Sequence, residues 1–397
     1  MRDIRYGACG SLTDVAMNRM AAQMFEAQGY DFMIWPDQMG MTIPRSIWTP
    51  DIAPGSEVFD IDMNFDAWTL CADAAGHSDR INLGITVNDA IRRGPANYAQ
   101  MALTMDHLSQ GRYFHGMGAG EIRHFKPYGL ARNKPFTHLE ESIKIQKMLM
   151  DADGPVSYEG PIWSLDKAVM TAMPYGDKRP PILVAGGGRA MKIAAEHADG
   201  WITMLPAAGD PEHYGAQVSQ IKQWVEEAGR DPEQFRFYAL ILGLICASDD
   251  ETEAVVNHPL LRFDAIALIP DANVFNSWGI IQHPIRPDYN YSRDIISTDW
   301  SREDTLAVID KVPSTVVRKA RACGTPKQVT DQLQPYIDAG LDWLNIINYA
   351  AFVGSGNFAD SAASLALVTE TVRLLRERNG QPIPDGMTSA MTSGVAL

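Results

Sequence analysis

Short apolar runs alternate with helix-period segments along nearly the whole of this 397-residue chain. That alternation narrows the fold more than any single motif does. A short apolar run bounded by turn residues reads as a buried strand, and a longer amphipathic stretch reads as a helix. Strands are expected at Ile4–Cys9, Phe32–Pro36, Ile81–Val87 and Arg112–Met117, with helices at Asp14–Gln28, Phe65–Ala75, Pro95–Ser109 and Phe136–Met150. A small hairpin is expected around Tyr158–Trp163. Four more strands follow at Pro181–Ala185, Gly200–Met204, Phe235–Cys246 and Leu341–Asn348. Their helices are Ala190–His197, Pro211–Ala228, Glu303–Asp310, Lys327–Ala339 and Ser361–Arg376. Two stretches break the rhythm. One is a long polar, proline-bearing loop from Asp37 to about Met63. The other, about 258–300, is rich in Pro, Asn, Asp and aromatics and reads as an insertion packed over the domain. Eight strand–helix units predict an α/β fold, a (β/α)8 TIM barrel with insertions, as one domain over residues 1–380. A doubly wound open sheet is the alternative. Residues 381–397, rich in Gly, Ser, Thr and Met, are expected to be a flexible tail.

Composition removes several function classes. The net charge of −15 argues against nucleic-acid binding, which needs a basic face. No run approaches the roughly 20 apolar residues that span a membrane. The first residues, Met1-Arg2-Asp3-Ile4-Arg5, lack the apolar core of a secretory signal, so a cytoplasmic location is expected. Cys9, Cys71, Cys246 and Cys323 lie far apart with no C-x-x-C pair, so neither a metal site nor a disulfide framework is expected.

In a barrel the active site lies at the C-terminal ends of the strands. Here those ends are Cys9, Asp37–Gln38, Thr86–Asp89, Gly118–Glu121, Gly186–Gly188, Thr203–Pro206 and Asn348. Gly116–Glu121 places glycines at every second position and then a carboxylate. Such glycines admit close approach of a bulky ligand or simply make a tight turn. The spacing is not the G-x-G-x-x-G dinucleotide fingerprint. Gly186-Gly187-Gly188-Arg189 leaves a strand and opens a helix, which suits a phosphate or serves as a flexible turn. Asp37 is a hydrogen-bond acceptor for a ring or ribityl group, or a turn cap. Thr86, Asn88 and Asp89 offer donors and acceptors in a row, and Arg92 and Arg93 are candidates for an anionic tail or for a salt-bridged turn. His107 reads as structural. His115 faces either the barrel interior or the helices. His124 falls in a loop that reaches a ligand.

Three segments together resemble the bacterial-luciferase-like flavin and deazaflavin oxidoreductases, in their coenzyme F420-dependent branch. They are Leu83–Val87 with Arg93–Ala96 and Ala99-Gln100; Leu108–Arg112 running into Gly116–Glu121; and Val184–Gly188 with Ala198–Ile202. Gly324-Thr325-Pro326 and Ala339-Gly340-Leu341 also fit. Ile43–Ile47 and Pro127-Tyr128-Gly129 are most similar to the phthiodiolone ketoreductase subgroup. The resemblance implies a TIM barrel, a homodimer and a non-proline cis peptide at Thr86–Val87 behind the cofactor ring. It implies cofactor contacts at Asp37, Thr86, Val87, Asp89, Ala119, Gly120 and His124, with Gly187, Gly188 and Arg189 at the phosphate. Glu121 corresponds to a carboxylate with acid/base duty. Relatives acting on alcohols or ketones carry His directly after the strand-two Asp as proton donor, whereas this chain has Gln38. Glutamine orients a proton but does not exchange one near neutral pH. Glu121, His124 and Gln38 are therefore the candidate catalytic residues.

The expected activity is hydride transfer between F420 and a bulky, hydrophobic carbonyl, alcohol or enone. Trp35, Met39, Met41, Trp48, Trp201 and Trp278 suggest the hydrophobic character, or else pack the core. Two rival readings are an FMN-dependent monooxygenase on the same scaffold and a noncatalytic cofactor-binding protein.

Overall fold

The computed structural model describes residues 3–269, 274–275, 278–279 and 282–392. Eight parallel strands form its centre: β1 Arg5–Cys9, β2 Phe32–Trp35, β3 Asn82–Asp89, β4 Tyr113–Gly118, β5 Ile182–Ala185, β6 Gly200–Leu205, β7 Arg236–Ile245 and β8 Trp343–Asn348. Each pairs with its chain neighbours, and β8 pairs back onto β1, so the sheet closes into a barrel. Closure excludes the open sheet.

Local chemistry sets the units. The helix Val15–Gln28 starts where the Asp14 carboxylate accepts the Met17 N–H and stops at Gly29, whose φ of 80° suits glycine. Thr325 and Gln328 form a reciprocal capping box for the helix Pro326–Asp338. Alternation along the strands decides what enters the barrel. Phe32, Ile34, Phe114, Leu183, Ile202, Tyr238 and Trp343 fill its interior. Phe32 stacks on Trp343 with centroids 5.2 Å apart. Gly7 makes room for Phe32, since a Cβ there would lie 2.0 Å from the ring. The N-terminal half of the barrel is thus solid, and open space is left at the C-terminal mouth.

A second apolar cluster sits above that mouth. Ile43, Ile47 and Ile52 of the second loop pack with Leu260, Phe263, Ile266, Val308, Val316 and Val317. The extra layer therefore extends past residue 300: the helices Arg302–Ile309 and Ser314–Ala320 bury their apolar faces in this cluster. Arg302 ties it to the loop through Asp51, the Ser46 carbonyl and Thr49. Residues 270–273, 276–277 and 280–281 of the expected insertion lie outside the described residues. A two-residue strand, Cys323–Gly324, adds to the end of β7.

Part of the expected tail is a helix, Asp385–Thr392, with Met387 fully buried. Gly386 lies so close to the helix Val15–Gln28 that an added Cβ would be 1.9 Å from the Ala27 carbonyl oxygen. Apolar anchoring at Met387 is what a composition rich in small polar residues conceals. Residues 393–397 lie outside the described residues. Among the described residues no helix is long and apolar enough to cross a membrane.

Candidate active site

A cavity of about 1190 Å³ opens at the C-terminal ends of the strands. It is lined by Cys9, Asp37, Gln38, Thr86–Asp89, Gly118–Glu121, Gly186–Gly188, Thr203, Met204 and Pro206. Topology thus brings together residues that the sequence spreads over nearly 200 positions. Asn348 is the exception. Its amide holds β8 to β7, accepting the Ile245 N–H and donating to the Ile245 carbonyl, each at 2.8 Å.

Asp37 follows β2 and is buried between two guanidiniums. Its carboxylate accepts from Arg93 Nη1 at 2.6 Å and meets Arg92 Nη2 at 2.9 Å. Burial pushes the carboxyl up, against the pull of the two arginines. Asp89 closes its own turn, accepting the N–H groups of Ile91 at 2.8 Å and Arg92 at 2.6 Å and pairing with Arg92 Nε. Arg92 and Arg93 are therefore committed to Asp37, Asp89 and Asp66 and are not spare charges for an anionic tail. The commitment holds Asp37 at a fixed point on the cavity wall. The Asp89 carboxylate is likewise occupied, although the residue lines the cavity.

The Thr86–Val87 peptide is cis, as expected. There the β3–β4 ladder is interrupted between Ile85 and Asn88. Asn88 holds the strand beyond the break, donating to the Gly116 carbonyl at 3.1 Å and accepting from Trp68 Nε1 at 2.8 Å. Two glycines of the Gly116–Glu121 segment have packing reasons. A Cβ on Gly116 would sit 2.6 Å from Ile202 Cδ1, and Gly120, at φ 79°, abuts the Phe125 ring.

Glu121 stands at the mouth of β4. Its Oε2 accepts Arg123 Nε–H at 2.6 Å, while Arg123 also donates to the Gly40 carbonyl. Among the described residues no group pairs with Glu121 Oε1. His124 is buried at 5% exposure, and its Nδ1 accepts the Met39 N–H at 3.1 Å. Burial, with the charges of Arg123 and Arg92, drives its imidazole far below the ordinary range. Gln38 donates to Asn64 Oδ1 at 3.0 Å and to Met41 sulfur at 3.1 Å, so its amide is oriented across the cavity wall.

Gly187 and Gly188 precede the helix Arg189–His197, and a Cβ on either meets nothing within 4 Å. Ala190 and Met191 turn their N–H groups back to the carbonyls of Gly187 and Gly188. Among the described residues the N–H groups of Gly187, Gly188 and Arg189 have no acceptor. Such a bare, uncrowded turn at a helix start suits an oxyanion. Arg189 also lines the cavity; it is half-exposed and pairs with Glu140 at 3.0 Å.

Much of the remaining lining is apolar. Met41, Phe59, Ile61, Met63, Leu242, Leu268, Trp278 and Phe352 contribute to it, from the second loop, β7, the β7–β8 connection and the turn after β8. Trp201 lines the cavity too. Trp35, Trp48 and Met39 do not. Trp35 alternates to the outside of β2, fully buried, and donates to Asn18 at 2.8 Å. Trp48 packs on Phe59 and Phe352, and Met39 is exposed. His115 faces the helices, its Nε2–H donating to Gln146 Oε1 at 3.0 Å, and burial holds it down to about 4. His107 meets the Met173 carbonyl at 2.9 Å on the surface. Cys9 lines the cavity, and burial pushes its thiol up to about 12, which disfavours the thiolate.

Residues outside the sequence-derived set also reach the site. Arg132 Nε donates to the Gly120 carbonyl at 2.8 Å, and Tyr291 of the insertion sits among Glu121, Arg123 and Arg132, its phenol pushed up by burial. The aromatic richness of the insertion was the only sequence signal for Tyr291.

The sequence profile of the luciferase-like monooxygenase family matches residues 6–342. The chain is 30% identical over 318 residues to the phthiodiolone/phenolphthiodiolone dimycocerosates ketoreductase of Mycobacterium tuberculosis, covering 79% of this chain and 82% of that one. It is 22% identical to the 5,10-methylenetetrahydromethanopterin reductase of Archaeoglobus fulgidus, over 70% and 80% of the two chains. In fold it is similar to an F420-dependent secondary alcohol dehydrogenase solved with an F420-acetone adduct, with a TM-score of 0.68, 20% identity and coverage of 90% and 96%. It is also similar to a long-chain alkane monooxygenase, with a TM-score of 0.65, 17% identity and coverage of 99% and 96%. A closed (β/α)8 barrel, a cavity at its C-terminal mouth and a family match over most of the chain lead to one conclusion: the chain belongs to the luciferase-like family and is an oxidoreductase of that family.

Proposed function

We propose that this protein transfers a hydride between the deazaflavin coenzyme F420 and a bulky, hydrophobic carbonyl, alcohol or enone. The observation that carries the reading is the mixed lining of one cavity. The cavity is lined both by a bare glycine turn and Asp37, which Arg92 and Arg93 hold in place, and by apolar side chains of the second loop, β7 and the β7–β8 connection. The similarity to the ketoreductase, and to F420-dependent enzymes in fold, supports the same choice.

The residues fit the coenzyme. The N–H groups of Gly187, Gly188 and Arg189 would hold its phosphate, in a turn with room on its open side. Thr86, Val87, Ala119 and Gly120 would back the ring, and Asp37 would accept a hydrogen bond from it. When bound, the deazaflavin supplies or accepts the hydride. The chain's share is positional and protonic. The apolar wall of Met41, Leu242, Leu268 and Trp278 binds the substrate body and excludes water from the reacting end. Glu121 is the acid/base, with Arg123 fixing one oxygen and leaving the other for the substrate oxygen. Gln38 orients rather than exchanges a proton.

The test is mass spectrometry of whatever ligand copurifies from an F420-producing host, followed by turnover with a panel of hydrophobic ketones and enones. F420 with turnover supports the proposal. A second reading, an FMN-dependent monooxygenase, draws support from the family match and the fold of the alkane monooxygenase. Copurified FMN, with oxygen consumed by the reduced form, would replace the first reading. F420 bound with no turnover on any substrate would leave a cofactor-binding protein.

A further inference from the structure

We infer that His124 serves as a neutral donor of fixed tautomer, presenting Nε2–H to an electron-rich oxygen of the bound ligand, and that it does not exchange protons. The inference rests on the cavity being the ligand site proposed above. The geometry carries it. A backbone N–H is a donor only, so the Met39 N–H at 3.1 Å requires a lone pair on Nδ1. In a neutral imidazole the one proton is then on Nε2. Among the described residues nothing pairs with Nε2, while the ring lines the cavity.

The two arginines near the ring act in the same direction. Arg123 on the same turn and Arg92 from the loop after β3 both disfavour a second proton. Glu121, three residues before, has one oxygen engaged by Arg123. An imidazolium would also place an N–H on Nδ1 against the Met39 N–H. His124 therefore polarises an oxygen without giving up its proton, as a neutral imidazole does when its other nitrogen is tied to the backbone. This separates two duties at the site: Glu121 moves the proton, and His124 stabilises negative charge as it develops on oxygen.

Nitrogen-15 NMR on ligand-free, histidine-labelled protein tests the tautomer directly, with the signal assigned by its loss in His124→Gln. One Nε2–H tautomer, unchanged from pH 5.5 to 8, supports the inference (about one unit either side of the ordinary imidazole value). An Nδ1–H tautomer or an imidazolium at pH 7 overturns it (near-neutral conditions, about where a catalytic proton exchanger titrates). Kinetics supply the second arm. Glutamine places an amide N–H near the Nε2 position but exchanges no proton, so His124→Gln should keep kcat within about tenfold, while His124→Asn, too short to reach, falls by roughly 10²–10³-fold. Equal loss in both variants, with both folded, would overturn the donor role. The affinity of His124→Asn for oxidised F420 locates the accepting oxygen: weakened binding places it on the coenzyme, and unchanged binding with lower kcat places it on the substrate. If the parent protein binds no F420, the proposed function fails while the NMR result still decides the tautomer.

Discussion

Alanine at Gly188 and alanine at Gly187 should behave differently, although both glycines face open space. Gly188 has φ 53° and ψ −118°, the mirror image of ordinary extended backbone, whereas Gly187 lies outside the left-handed region. Neither added Cβ would meet an atom within 4 Å, so sterics with neighbours cancel from the comparison. What remains is backbone energy. Holding an L-residue in the Gly188 conformation costs about 1–3 kcal/mol. At a compatible position, Gly→Ala instead stabilises by about 0.4–1 kcal/mol through the unfolded chain. Gly188→Ala should therefore unfold at lower urea than Gly187→Ala, the gap being at least about 1 kcal/mol. If the turn relaxes instead, stability is kept and the strain is paid on binding. The Kd for F420 then rises by about 5- to 150-fold, the same 1–3 kcal/mol at about 1.4 kcal/mol per tenfold. Urea denaturation followed by tryptophan fluorescence, together with an F420 titration, measures both quantities. The reasoning is refuted if the two variants match each other in stability and in affinity.

Two further outcomes follow from the site and the core. Glu121→Gln keeps an oxygen for Arg123 and should leave F420 affinity unchanged while lowering kcat by about 10²–10⁴-fold; single-turnover rates within a few-fold of the parent would remove Glu121 from the proton path. His115 is buried, with its pKa depressed from 6.5 to about 4. Its contribution to stability is complete above pH 6.5 and is lost as pH falls toward 4. His115→Gln should flatten that part of the stability–pH curve, and a slope identical to the parent's would contradict the assignment.

All eight strands were legible in the sequence because each is a short apolar run between turn residues, and barrel closure then fixes which ends converge. Trp35 shows where the pattern was underused: with Ile34 inside the barrel, alternation sends Trp35 outward into the core, away from any ligand. The fates of Arg92 and Arg93 were not legible, since their partner Asp37 lies 55 or more positions earlier. The same holds for His124, whose tautomer depends on a backbone N–H 85 positions away. Tyr291 reaches the site only because the β7–β8 connection folds back over the mouth, and periodicity carries no record of that. Asp385–Thr392 was hidden because one buried methionine anchors an otherwise small and polar helix.

The central claim is that the glycine turn, the Asp37 cluster and the apolar wall together make a deazaflavin site. Calorimetric titration of the purified protein with oxidised F420 and, separately, with FMN tests it most directly. The account predicts saturable binding of F420, weakened in Gly188→Ala or matched by its loss of stability, and no comparable binding of FMN. Tight binding of FMN with none of F420 would contradict it.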